Sequence, residues 1–106
     1  MAALGEFEVL VLLAVLQLDD AAYPPAVRAE IERRTKRHVA RGAVYVTLER
    51  LESKRLLVAH TVATEPTAGR RRRQYKVSPK GLRAVRRALS AVENMRAGLE
   101  PVLDES

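Results

Sequence analysis

Apolar positions change their period several times along the chain, and each change marks a new element. From Leu4 to Leu18 nearly every position is apolar: Phe7, Leu10, Val11, Leu13, Ala14 and Leu18 make one helical stripe, while Val9, Leu12, Val15 and Leu16 fill the remaining sides. A helix apolar nearly all round has to be buried on more than one face. So short a chain has little to cover it with, and a partner subunit is expected to supply part of the cover. Asp19-Asp20 and the Tyr23-Pro24-Pro25 turn end this helix, and proline suits the first turn of the next. A second helix is predicted from about Ala26 to Arg37, with Val27 and Ile31 facing inward and Arg28, Arg33, Arg34, Lys36 and Arg37 at the surface. His38 to Arg41 form a turn. From Arg41 to Lys54 the helical period returns: Val44, Leu48 and Leu51 share one narrow face, and Gly42, Val46, Glu49, Arg50 and Ser53 point the other way.

Beyond Lys54 the period becomes two, with Leu57, Ala59, Thr61 and Ala63 against Val58, His60, Val62 and Thr64, which predicts a strand. Turn chemistry in Glu65-Pro66-Thr67-Ala68-Gly69 interrupts it, and a second strand follows from Arg70 to Val77. Tyr75 and Val77 share parity with Arg71 and Arg73, so the tip of this hairpin must project past the core for the arginines to stay hydrated. Ser78-Pro79 is a helix start, serine as N-cap and proline in the first position. The last helix runs to about Gly98, and Pro101 limits its continuation. Leu82, Val85, Leu89, Val92 and Leu99 keep a spacing close to a heptad, with Met95 beside the seam and Arg96 breaking it. About 20 residues give a helix near 30 Å long, more than this core needs. The surplus is expected to pack against a second subunit.

Composition narrows the functions that this architecture can serve. A chain of 106 residues, 47% apolar, buries one modest core. It has no cysteine, which removes disulfides, thiol nucleophiles and cysteine-rich zinc sites and fits a reducing cytoplasm. His38 and His60 are isolated, so neither a metal nor another cofactor is expected. The apolar run from Val9 to Leu16 falls short of the roughly 20 residues needed to span a bilayer. Nor does its flank carry the positive charge of a signal peptide. No carboxylate pair, nucleophile with its base, or phosphate loop points to an enzyme. The net charge of +6 conceals a strong asymmetry: residues 28–87 carry 18 Lys or Arg against 5 acids, whereas residues 1–27 carry four acids and no Lys or Arg. A basic middle between acidic ends suits a polyanion.

The helix from Arg41 to Lys54 turns Gly42, Ala43 and Val46 outward, short enough for its backbone to approach a base-pair edge. It reads as the second helix of a helix-turn-helix, with Arg70 to Arg73 as a phosphate-contacting wing. Two other readings remain open on the residues alone: a winged helix that binds another protein, and a basic architectural module for RNA or DNA with little sequence preference. The expected fold is mainly α with a small β-hairpin: a winged helix-turn-helix over residues 1–78 and a C-terminal dimerisation helix and tail over residues 79–106.

Three stretches resemble the PadR family of transcriptional regulators. "GAVYVTLERLESKRLL" is similar to that family's recognition helix and its exit, "GRRRRQYKVSPKG" to its wing and last-helix start, and "LGEFEVLVLLAVL" to its first helix. The resemblance covers residues 4 to about 98 and is to the short branch, with a single C-terminal helix. Three positions depart from the family pattern. Tyr23-Pro24 stands where a Tyr-Gly pair is common, Ala40 and Arg41 stand where Ser or Thr caps the recognition helix, and Arg55 stands where glycine ends it. The resemblance implies a homodimeric repressor that blocks a promoter by binding a two-fold site on double-stranded DNA, with small aromatic or lipophilic molecules as effectors. It places Gly42, Ala43, Val46 and Thr47 near base edges and Tyr45 with its hydroxyl toward a phosphate. Arg41, Arg50 and Lys54 would sit on the backbone, and Arg70, Arg71, Arg72 and Arg73 on the backbone or in a minor groove. Glu49 and Glu52 are expected to pair with basic neighbours.

Overall fold

A computed structural model describes residues 3–65 and 70–104, with the side chains of residues 64, 65, 70 and 71 left outside that description. The element order is α1 (Glu6–Leu18), a 3-10 turn (Asp19–Ala21), α2 (Pro24–Thr35), α3 (Arg41–Ser53), β1 (Leu57–Glu65), β2 (Arg70–Val77), α4 (Pro79–Arg96) and a one-turn α5 (Glu100–Leu103). Every element expected from the pattern is present within a few residues, and α5 is additional. The two strands pair antiparallel, with Leu57 opposite Val77 and Thr61 opposite Arg73.

α1 is the central element because its apolar residues surround its axis. It packs against α2, α3, β2 and α4 together, and Val11, Leu12, Ala14 and Val15 are all buried within the single chain. Phe7, Val9, Leu10, Leu13 and Leu18 are partly buried, and Leu16 is the apolar side chain of α1 left clearly exposed. α2 and α3 cross beneath it and contribute Val27, Ile31, Val44, Leu48 and Leu51 to the same core, which Leu56, Leu57, Tyr75 and Val85 close from the other side.

Two tight junctions orient α3. Before it, α2 carries Arg28 and Glu32 one turn apart. The Glu32 carboxylate accepts from the Val39 amide at 2.8 Å, and the Arg28 Nε donates to the Val39 carbonyl at 2.7 Å. With its side chain buried as well, Val39 leaves the turn little freedom. After α3, the Leu56 amide returns to the Leu51 carbonyl and the Arg55 amide to the Glu52 carbonyl, the paired bonds of a Schellman stop. Arg55 sits there at φ 64°. That is a left-handed conformation glycine adopts freely and arginine does not.

α4 begins where expected, with the Ser78 hydroxyl accepting from the Gly81 amide at 3.0 Å and donating to the Arg55 carbonyl at 2.7 Å. A Cβ at Gly81 would stand 2.1 Å from the Leu56 carbonyl oxygen, so only glycine lets α4 lie this close to the end of α3. Gly81 and Val85 are buried in the core. The first turns of α4 thus pack on the domain before the helix projects from it. Beyond Ala91 every described residue is exposed. The radius of gyration, 15.8 Å with principal extents of 58 × 31 × 21 Å, reflects that projecting arm, since a compact domain of this length would measure about 13 Å.

Candidate nucleic-acid interface

The outer face of α3 is built from the residues that the inner face cannot use. Val44, Thr47, Leu48 and Leu51 follow one another at three- and four-residue steps and are buried. The residues between them, Arg41, Gly42, Ala43, Tyr45, Val46, Glu49 and Arg50, are exposed, Val46 at 54%. Thr47 is only 4% exposed. Its expected place near the base edges is therefore corrected: it belongs to the inward stripe, on the same face as Val44 and Leu51. A Cβ at Gly42 would meet nothing within 4 Å. The chain itself thus has no steric need of glycine at that position, in contrast to Gly81.

Cationic and aromatic groups flank this face. The Arg41 guanidinium lies 5.7 Å from the centre of the Tyr45 ring. These two residues, with Pro24, Pro25, Arg28 and Val44, line a cleft of about 280 Å³ between the starts of α2 and α3. Ala40 offers no side-chain cap to α3, as expected from its residue type. Lys54, at the far end, reaches 2.8 Å to Glu8 of α1. Burial pushes the Glu8 carboxyl up, but the Lys54 ammonium and the Gly5 amide outweigh it and hold its pKa below the ordinary value.

The wing stands next to the C-terminal half of α3. Arg72 and Arg73, adjacent in β2, point to opposite faces. The Arg72 guanidinium stacks 3.7 Å over the Tyr23 ring at the start of α2. Arg73 donates one NH2 group to both Glu52 carboxylate oxygens, at 2.9 and 2.7 Å, and its Nε to the Tyr75 hydroxyl at 3.3 Å. Hydrogen bonds from Arg73 to Glu52 and then Tyr75 raise the Arg73 pKa further. The expected pairing of Glu52 with a basic neighbour is thus observed, while Glu49 makes no ion pair among the described residues. The side chains of Arg70 and Arg71 lie outside the described residues. Sequence reasoning did not anticipate Arg28 as a clasp on the turn or Tyr23 as a seat for Arg72. The i,i+4 spacing of Arg28 and Glu32 was a visible signal for the former.

A helix of short outward side chains, fixed at both ends and flanked by a basic hairpin, is the arrangement of a winged helix-turn-helix. Comparison with known proteins makes the assignment narrower. The model of the transcriptional regulator PadR-like family matches residues 12–87, more than half of the sequence, and the chain belongs to that family of non-enzymatic, DNA-binding transcriptional regulators. Solved structures agree on the fold. A PadR family transcription regulator from Clostridium difficile is 22% identical and covers 93% of this chain and 99% of its own, with a TM-score of 0.71. A PadR family regulator from Eggerthella lenta is 23% identical over 95% of this chain and 88% of its own, with a TM-score of 0.68. A PadR-like regulator from Bacillus cereus is 17% identical over 92% and 94%, with a TM-score of 0.70. No curated protein is similar enough to be matched. Among the described residues no helix is long and apolar enough to cross a membrane.

Proposed function

We propose that the protein is a homodimeric repressor that places the α3 of each subunit in successive major grooves of a two-fold operator. The observation that carries this reading is the outer face of α3, where Gly42, Ala43 and the exposed Val46 present a low surface beside Arg41 and Arg50. Arg41, Arg50 and Tyr45 lie at the margins of that surface, where backbone phosphates flank a groove occupied by a helix. The wing lies over the adjoining backbone. Its arginine run adds attraction common to every sequence, while the α3 surface discriminates.

The second subunit is argued from α4 and α5. Leu89, Val92, Met95, Leu99, Val102 and Leu103 are all exposed, Met95 at 80%. Val92, Met95, Leu99 and Leu103 are among the residues that line an open apolar groove of about 590 Å³. A second copy of the same arm, packed along this stripe, covers it and spaces two recognition helices. Occupancy of a promoter by such a dimer excludes polymerase from the same groove and backbone, which represses transcription.

The test is selection of duplexes from a random pool by the full chain, followed by affinity measurement with unrelated competitor DNA. A two-fold consensus bound at least about a thousandfold more tightly than unrelated DNA is the expected result. A pool that acquires no consensus overturns the reading in favour of the architectural one.

A further inference from the structure

The arginine run that marks the wing does not have one role along its length. Arg73 is held at both ends: its NH2 group by both oxygens of Glu52 on α3, and its Nε by the hydroxyl of Tyr75. Tyr75 is itself fixed, its side chain buried and its amide donating to the Ala22 carbonyl at 2.9 Å. On the other face of the same strand, Arg72 is stacked on Tyr23, the residue that starts α2. β2 is therefore gripped from two sides by the two helices of the helix-turn-helix. A two-stranded hairpin is only marginally stable by itself and free to twist. For Arg73 to turn the fork of its Nε and NH2 groups onto a phosphate it would have to leave Glu52, and that carboxylate would then face the DNA unpaired.

We infer that the Glu52–Arg73 pair is a brace that sets the angle between the recognition helix and the wing, and that Arg73 is a positioning residue of the interface and not one of its phosphate contacts. This rests on the proposed DNA-binding function and refines it. The brace lets the wing reach the backbone only when α3 is seated in its groove, so that pair formation favours a correctly registered complex over a loosely docked one.

A double-mutant cycle of Glu52→Gln and Arg73→Ala, read on the selected site and on unrelated DNA over a range of salt, tests the inference. Glu52→Gln removes a negative charge near DNA, yet it is expected to weaken specific binding about two- to fivefold, the range that one exposed ion pair supports. In the Arg73→Ala background the same change should no longer weaken binding. Arg73→Ala alone should keep the wild-type salt slope. A phosphate-contacting Arg73 gives the opposite results: a slope shallower by about 0.9, and tighter binding when Glu52→Gln frees the arginine. Either of these overturns the inference. A DNA-free readout separates its failure from that of the underlying function. Because the chain has no cysteine, spin labels at Glu49→Cys and Ala63→Cys report the distance from α3 to the wing, in labelled chain diluted with unlabelled. The distribution should broaden in Glu52→Gln, and an unchanged width removes the brace whatever the DNA result. If the wild-type chain selected no sequence, the functional half of the inference would fall with the reading it rests on, while the label distances would still decide the brace.

Discussion

Gly42 and Gly81 are two helical glycines kept for opposite reasons, and the same substitution should separate them. A Cβ added at Gly81 would stand 2.1 Å from the Leu56 carbonyl oxygen and 2.9 Å from a Val77 methyl. One of these contacts is backbone, so α4 must move, and overpacking of this kind costs on the order of 1–3 kcal/mol. A Cβ at Gly42 meets nothing. There alanine relieves only the entropy that glycine loses in a helix, a gain of about 0.5–1 kcal/mol. Position 42 lies in the first turn of α3, so the lower figure applies, equivalent to a rise in Tm of roughly 2–4 °C. Gly42→Gln, another good helix former, should retain a similar gain. On DNA the order reverses. If α3 approaches the base edges at Gly42, alanine should weaken specific binding modestly and glutamine should abolish it, although both proteins are more stable than the wild type. Thermal melts alongside fluorescence anisotropy on the selected duplex measure both quantities. A Gly42→Gln chain that melts higher and still binds its site would refute the placement of the first turn of α3 against DNA.

Val46→Glu puts a carboxylate on the exposed outer face and should eliminate specific binding with little change in Tm. Leu48→Ala, two residues on and facing the core, should cost about 2–5 kcal/mol in folding, and equal unfolding by both would mean that α3 is rotated from its described orientation. Arg55→Gly relieves a left-handed residue worth roughly 1–2 kcal/mol against the extra entropy of glycine, so a melting temperature a few degrees higher is expected in calorimetry; a lower one would show that the arginine side chain contributes more than its backbone costs. Val92→Glu with Met95→Glu should convert a dimer into a soluble monomer in sedimentation at micromolar concentration, and a persistent dimer would place the interface elsewhere. Glu6, Glu8, Glu30 and Glu32 all have pKa values held below the ordinary value in the folded chain. Their contribution to stability is thus fully present above the unfolded value of about 4.3 and is lost as pH falls through the folded values. The melting temperature should fall with acid below about pH 4.5, and Glu32→Gln, which weakens the clasp on Val39, should make that fall shallower.

What was legible from residues and what was not divides along the range of the forces involved. Helical and alternating periods are local, and they located α1 to α4 and both strands, while the Ser78-Pro79 pair marked its own cap and the resemblance to the family, in which glycine ends the recognition helix, singled out Arg55. Thr47 was misplaced because its position near the base edges was carried over from the family resemblance and not taken from the helical period. The spacing from Val44 to Leu51 already put it on the inward face, and geometry prevailed over resemblance. Local pattern shows how much apolar surface α1 carries, not how many elements of its own chain converge on it, so the burial of Val11, Leu12, Ala14 and Val15 within one chain was not legible in the sequence.

The four arginines show the same limit at the candidate site. As a run they report charge density, a property without direction, and a wing on phosphates follows from it directly. Strand alternation then sends neighbouring members to opposite faces, where the partners are Tyr23 for one and Glu52 for the next. Those partners lie 49 and 21 residues away in sequence, so no window that detects the run contains both. A basic cluster therefore establishes attraction to a polyanion, whereas which of its members touch that polyanion is decided by which of them the fold has already engaged.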